Sequence, residues 1–200
     1  MSLSFTRTSL LLAAPLVSCL LITGCSVDAH KNNGKDDVSI TTPLGGMHVK
    51  TNGTTVLSSI GLPGYPGAVS VKDNEKDKGS ADVDMNFGNF HLRIRAADFR
   101  STDPPEKIRA FYRKSLAQYG DIIECKDKVA IGTPTHTGQG LTCNEDNKSV
   151  HGVHTSEDDT ELKTGSKSHQ RFVSFKPDGT GTRFALVLLD LPHDNDGDSN

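Results

Sequence analysis

The segment from Asp82 to Arg95 constrains the fold more than any other, because it is complementary to itself. With Gly88-Asn89 as a two-residue turn, Phe87 falls opposite Phe90, Met85 opposite Leu92 and Val83 opposite Ile94, while the other face sets Asp84 against Arg93 and Asp82 against Arg95. Side chains alternate faces along a strand, so a slip of one residue would spoil every one of these matches. Glycine first and asparagine second suits a type II′ turn, whose twist follows that of the strands it joins. An antiparallel hairpin with one apolar and one charged face is therefore required here, and its apolar face needs neighbours.

Those neighbours can be read on both sides. Val38-Ser39-Ile40-Thr41-Thr42 and Met47-His48-Val49-Lys50-Thr51 alternate around Pro43-Leu44-Gly45-Gly46, which predicts an N-terminal β-hairpin with a four-residue loop. A short helix over 54–60 and a strand over 68–72 follow. The main helix starts with Thr102 or Asp103 as N-cap, takes Pro104 or Pro105 into its first turn and closes at Gly120. Ile108, Phe111, Tyr112, Leu116 and Tyr119 share one face of that helix. Further strands are expected at 122–126, 140–144, 171–176 and 183–191, the last two joined by a turn at Pro177-Asp178-Gly179. Phe184 to Leu189 is apolar on both faces and belongs in the centre of the sheet. The fold class these elements predict is α+β, an antiparallel β-sheet packed against one main α-helix. Residues 145–168 are so polar that they read as a long surface loop, and 193–200 as a disordered acidic tail.

The first 24 residues carry Arg7 followed by an apolar run from Leu10 to Ile22, too short for the roughly 20 residues of a membrane span and interrupted by Pro15. They read as a signal peptide. Behind them, 25–36 is polar and aperiodic, as expected of a flexible tether, and 37–192 forms a single domain. At 200 residues, 34% hydrophobic and with a formal net charge of −3, the chain supports one small core and is too acidic for a general nucleic-acid binder. Of its 4 cysteines, Cys19 lies in the signal. Export implies oxidising conditions, so Cys125 and Cys143 are expected to form a disulfide, for which the chain-entropy estimate is about 3 kcal/mol.

Leu21-Ile22-Thr23-Gly24-Cys25 resembles the lipobox of bacterial lipoproteins. That resemblance implies a lipidated Cys25 as the first residue after cleavage and attachment to a membrane through the acyl chains. Several motifs extend it: Thr42-Pro43-Leu44-Gly45-Gly46, then Gly61-Leu62-Pro63-Gly64-Tyr65-Pro66-Gly67-Ala68, then Thr102-Asp103-Pro104-Pro105-Glu106-Lys107, and finally Phe111-Tyr112-Arg113 with Leu116, Tyr119 and Gly120. Together they resemble a group of uncharacterised bacterial lipoproteins, over roughly residues 38–126. In such lipoproteins an Asp after the cysteine favours the inner membrane. Ser26 at that position implies the outer membrane, with the domain facing the periplasm. The resemblance brings no catalytic residues with it.

Chemistry-bearing patterns are sparse. There is no Gly-x-Ser-x-Gly elbow, P-loop, dinucleotide fingerprint or His-Glu-x-x-His helix, so no catalytic residues are assigned and a non-enzymatic binding or structural role is expected. No cofactor and no metal ligand is assigned. The alternative is an exported enzyme or metal-dependent factor built on His151 and His154, with Glu157, Asp158 and Asp159 close behind, although a loop without a helix aims imidazoles poorly. Asp194-Asn195-Asp196-Gly197-Asp198 begins like a calcium loop but has Ser199 where the sharp-turn glycine belongs. Lys107, Arg109, Arg113 and Lys114 gather positive charge on the main helix, joined by Arg100. A solvated face is the ordinary explanation; the functional one is docking to an envelope protein or an anionic polymer.

Overall fold

The computed structural model describes residues 25–32, 35–51, 53–71, 79–144 and 160–192. The self-complementary segment forms the hairpin its pattern requires, from β5 (Ser80–Phe87) to β6 (Phe90–Ser101), with Phe87 paired to Phe90, Asp84 to Arg93 and Asp82 to Arg95. Gly88 has φ 58°, and among the described non-glycine residues only Asp127 and Lys128 have positive φ, so the turn is of type II′.

Before it come β1 (Ser26–Asn32), β2 (Lys35–Thr42), β3 (Gly45–Lys50), α1 (Gly53–Ile60) and β4 (Val69–Ser70). After it come α2 (Pro105–Leu116), a 3-10 turn at Ala117–Tyr119, β7 (Ile122–Lys126), β8 (Val129–Ala130), β9 (Thr160–Gly165), β10 (His169–Asp178) and β11 (Gly181–Asp190). All strands join one 11-stranded antiparallel sheet in the order β1-β2-β3-β5-β6-β11-β10-β9-β7-β8, with β4 beside β6. The expected α+β class is thereby overturned: among the described residues the molecule is a mostly β protein with two short helices. Both helices lie over one part of one sheet face.

Two polar segments account for the difference. Residues 25–36, expected as a tether, carry β1, and Ser26 is already paired with Thr41. Residues 160–165, expected within the 145–168 loop, form β9, which is inserted between β7 and β10. Thr160, Leu162 and Thr164 of β9 face the helices, while Glu161 and Lys163 face the other way and neutralise each other at 2.8 Å. A strand whose charges are paired internally can be buried without being apolar. Residues 145–159 and 193–200 lie outside the described residues.

Smaller corrections have local causes. The first hairpin turns on Pro43-Leu44 alone, because Thr42 pairs with Gly45 and donates its hydroxyl to the Gly45 carbonyl at 2.8 Å. Gly45 permits this: a Cβ there would stand 1.9 Å from the Asn86 carbonyl oxygen across the β3–β5 contact. Residues 140–144 form a loop with isolated bridges from Gly140 to Ser166 and from Thr142 to His136, not a strand.

The core fills the space between α1, α2 and the central strands. Directly paired residues share a face, and on the helix side these are Ala97, Phe184, Leu186, Leu188, Val173, Phe175 and Leu162, packed against Val56, Ile60, Ile108, Tyr112 and Leu116. Phe184 to Leu189 is central as its composition requires: β11 lies between β6 and β10, and Val187 and Leu189 are buried on the opposite face. Val83, Met85, Leu92 and Ile94 also point to that opposite face, where they are only half-buried.

Candidate functional site

Helix α2 begins at Pro105 with Pro104 as N-cap and no side-chain cap. Asp103 is engaged elsewhere. It accepts a hydrogen bond from the Tyr65 hydroxyl at 2.7 Å and one from Lys107 Nζ at 3.0 Å, and its backbone carbonyl accepts from Thr182 at 2.8 Å. The Asp103 hydrogen bond, with desolvation adding to it, pushes the Tyr65 hydroxyl up to about 12. The bonds from Tyr65 and Lys107 hold the Asp103 carboxyl below its usual range. Tyr112, two turns into the helix and donating to the Pro63 carbonyl at 3.2 Å, is pushed up by burial.

The four cations read as a docking surface stand on the solvent side of α2, and three of them have carboxylate partners. Lys107 holds Asp103. Arg109 donates to one oxygen of Glu124 at 2.8 Å and Arg113 to the other, so a single carboxylate from β7 bridges two guanidiniums one helical turn apart. Lys114 is exposed and has no ion-pair partner among the described residues. Arg100 pairs with Asp178 at the far end of β10. Much of the charge counted along the helix is therefore already matched across to the sheet. Glu124 could not be assigned this role from sequence, since the partner lies on a strand that only the fold brings beneath the helix.

Beside Arg109 a cleft of about 230 Å³ opens between the start of α2 and the ends of β7, β9 and β10. Glu106, Arg109 and Lys126 supply its charge, Thr160 a hydroxyl, and Phe175 and Pro177 its apolar part. It is smaller than the roughly 300 Å³ at which ligand pockets begin, and it could take only a small anion or the tip of a larger group.

Cys125 and Cys143 form a disulfide with Cα atoms 5.6 Å apart, within a second buried cluster that includes Ile123 and Leu141. It ties the loop after β8 to β7. Cys25 is exposed and has a free thiol, immediately before β1. His151 and His154 lie outside the described residues, as do Glu157, Asp158, Asp159 and the acidic tail. Among the described residues no three His, Cys, Asp or Glu side chains are grouped to hold a metal ion, and no helix is long and apolar enough to cross a membrane. No protein-family model, curated protein or solved structure matches the chain.

Proposed function

We propose that this chain is a lipid-anchored protein of the bacterial cell envelope, attached through Cys25 to the outer membrane and facing the periplasm, where it acts as a binding or structural component and not as an enzyme. The observation that carries this reading is the run from Leu10 to Ile22 ending in Thr23-Gly24-Cys25: a secretory apolar core, two small residues and a thiol in the order that lipoprotein processing requires. The exposed position of Cys25 supports it, since acyl transfer needs an accessible thiol. So does the Cys125–Cys143 bridge, because such bonds persist in oxidising compartments.

The test is fractionation with intact-mass measurement. The wild-type protein should sediment with membranes and carry the added mass of acyl chains, and Cys25→Ser should be released and unmodified. Each buried CH₂ contributes about 0.8 kcal/mol, so several chains hold the protein without detectable exchange. Equal membrane association of both forms, with no acyl mass on the wild type beyond its own polypeptide, would overturn the reading.

A further inference from the structure

We infer that the end of the sheet formed by the Pro43-Leu44 and Gly88-Asn89 turns is a lipid-facing surface, seated in the headgroup region of the membrane that holds Cys25. This rests on the proposed acylation of Cys25 and adds to it an orientation and a second contact.

Three observations lead there. The first is position. Ser26 is paired with Thr41, so Cys25 is level with Thr42, one residue from the Pro43-Leu44 turn. β1 starts at the residue after Cys25, which leaves no tether between an acyl anchor and the sheet. The Gly88-Asn89 turn is at the same end: Gly45 pairs with Phe87, and the Gly88 N–H donates to the Leu44 carbonyl at 3.2 Å. An acyl chain on Cys25 would bring both turns to the bilayer surface.

The second is exposure. Leu44 is 83% exposed, Val27 65%, Phe90 41% and Phe87 38%, and these are four of the seven large apolar side chains left exposed among the described residues. Leu44, Phe87 and Phe90 stand at the two turns, which touch through the Gly88 N–H, and Val27 stands beside Cys25 on the same end of the sheet. A contiguous apolar surface on an otherwise polar protein marks a site of contact.

The third is the absence of charge. No charged residue lies between Val38 and Met47, or between Met85 and Leu92. On the strands that carry these two turns, the first charges met from this end are Asp28, three residues after Cys25, Asp84, three before Phe87, and Arg93, three after Phe90; across β11, the β9–β10 turn brings Lys167 to the same end of the sheet. At about 3.4 Å per residue the uncharged layer is roughly 10 Å deep, the depth to which apolar side chains enter the boundary between headgroups and acyl chains. Immersion of the two turns to that depth buries aromatic and aliphatic groups and desolvates no ion on their own strands. The Asp84–Arg93 pair sits at its upper limit.

The chain contains no tryptophan, so a single introduced indole reports on one position without background. Leu44→Trp, Phe90→Trp and Val129→Trp, each in the full chain exported through its own signal, are reconstituted into phosphatidylethanolamine–phosphatidylglycerol vesicles with acyl chains brominated near the headgroup. Val129 is 66% exposed but belongs to the opposite end of the sheet, since Lys126, its partner, is paired with Thr160. Emission from Leu44→Trp and Phe90→Trp should shift to the blue and be lost to bromine quenching, while Val129→Trp keeps the emission it has in unbrominated vesicles. Unquenched tip indoles on acylated, vesicle-bound protein would overturn the inference, as would equal quenching of all three. If mass measurement finds Cys25 unmodified, the anchor reading fails on its own. The tip is then judged with the same chains added to preformed vesicles: quenching of the two tip indoles alone supports it, and none defeats it.

Discussion

Tyr65 donates its hydroxyl proton to Asp103 at 2.7 Å, and that bond joins the Gly64-Tyr65-Pro66-Gly67 turn to the residue that precedes the prolines of α2. The Tyr65 ring also packs edge-on against Phe111, with centroids 5.2 Å apart, and against Phe184 at 6.1 Å. Two motifs that stand apart in the sequence are thus halves of one clamp that fixes where α2 enters the sheet.

Tyr65→Phe keeps the ring and removes the bond, so its effect should depend on pH. Asp103 has its carboxyl lowered in the folded state, and its contribution is present above the ordinary carboxylate value of 3.8 and is lost as pH falls through the lowered value. Tyr65 is raised from 10.0 to about 12, and its contribution is present below 10.0 and is lost as pH rises toward 12. The wild type should therefore melt above Tyr65→Phe at neutral pH, with the gap closing at both extremes. Thermal melts of the two proteins across the pH range check this. A gap that does not vary with pH would assign the effect to packing alone.

The Cys125–Cys143 bridge should contribute about 2–4 kcal/mol, the range for a loop of this size. Its sequence separation is 18, and it holds a loop that has only isolated bridges to the sheet. Cys125→Ala with Cys143→Ala should lower the urea midpoint accordingly, and wild-type protein in reductant should move to nearly the same midpoint. Insensitivity of the wild type to reductant would contradict a stabilising role.

Glu124 bridges Arg109 and Arg113 from a mostly buried position, while both arginines are about half exposed. Glu124→Gln should therefore lower stability by only about 1 kcal/mol, as solvent screens such pairs. The same change frees two guanidiniums beside Lys114 and should strengthen retention on an immobilised polyanion, in a manner suppressed by salt. Retention equal to that of the wild type at low salt would mean that Glu124 does not mask these cations.

What could be read in the sequence was set by how locally each element is specified. The β5–β6 register was legible because both partners of every pair lie within one short stretch, and α2 was legible because its buried face repeats with a helical period. The cap was misread because Asp103 is taken by Tyr65, 38 positions away in sequence. The helix charges were legible as charges, but their matching by Glu124 depends on strand order. The tether reading of 25–36 failed for a related reason: β1 is an edge strand whose only apolar residues, Val27 and Ala29, are exposed and too few to stand out among polar neighbours. β9 was hidden most thoroughly, because its helix-facing residues include two threonines and its other face is charged.

That charged face supports the last prediction. Glu161 and Lys163 are each 7% exposed, stand two residues apart on one side of β9, and pair at 2.8 Å, with Lys163 Nζ also 5.7 Å from the centre of the Phe172 ring on β10. Removing one partner leaves the other charge buried and unmatched, so Glu161→Gln or Lys163→Met alone should cost about 3–5 kcal/mol. Replacing both with apolar residues of similar size removes two desolvation costs along with the attraction, and Glu161→Leu with Lys163→Met should lie within about 1–2 kcal/mol of the wild type. Urea unfolding of the two single variants and the double variant measures the coupling directly. Additive losses would show that the pair does not act as a unit, and that β9 is held in the sheet by its backbone hydrogen bonds and by Leu162 alone.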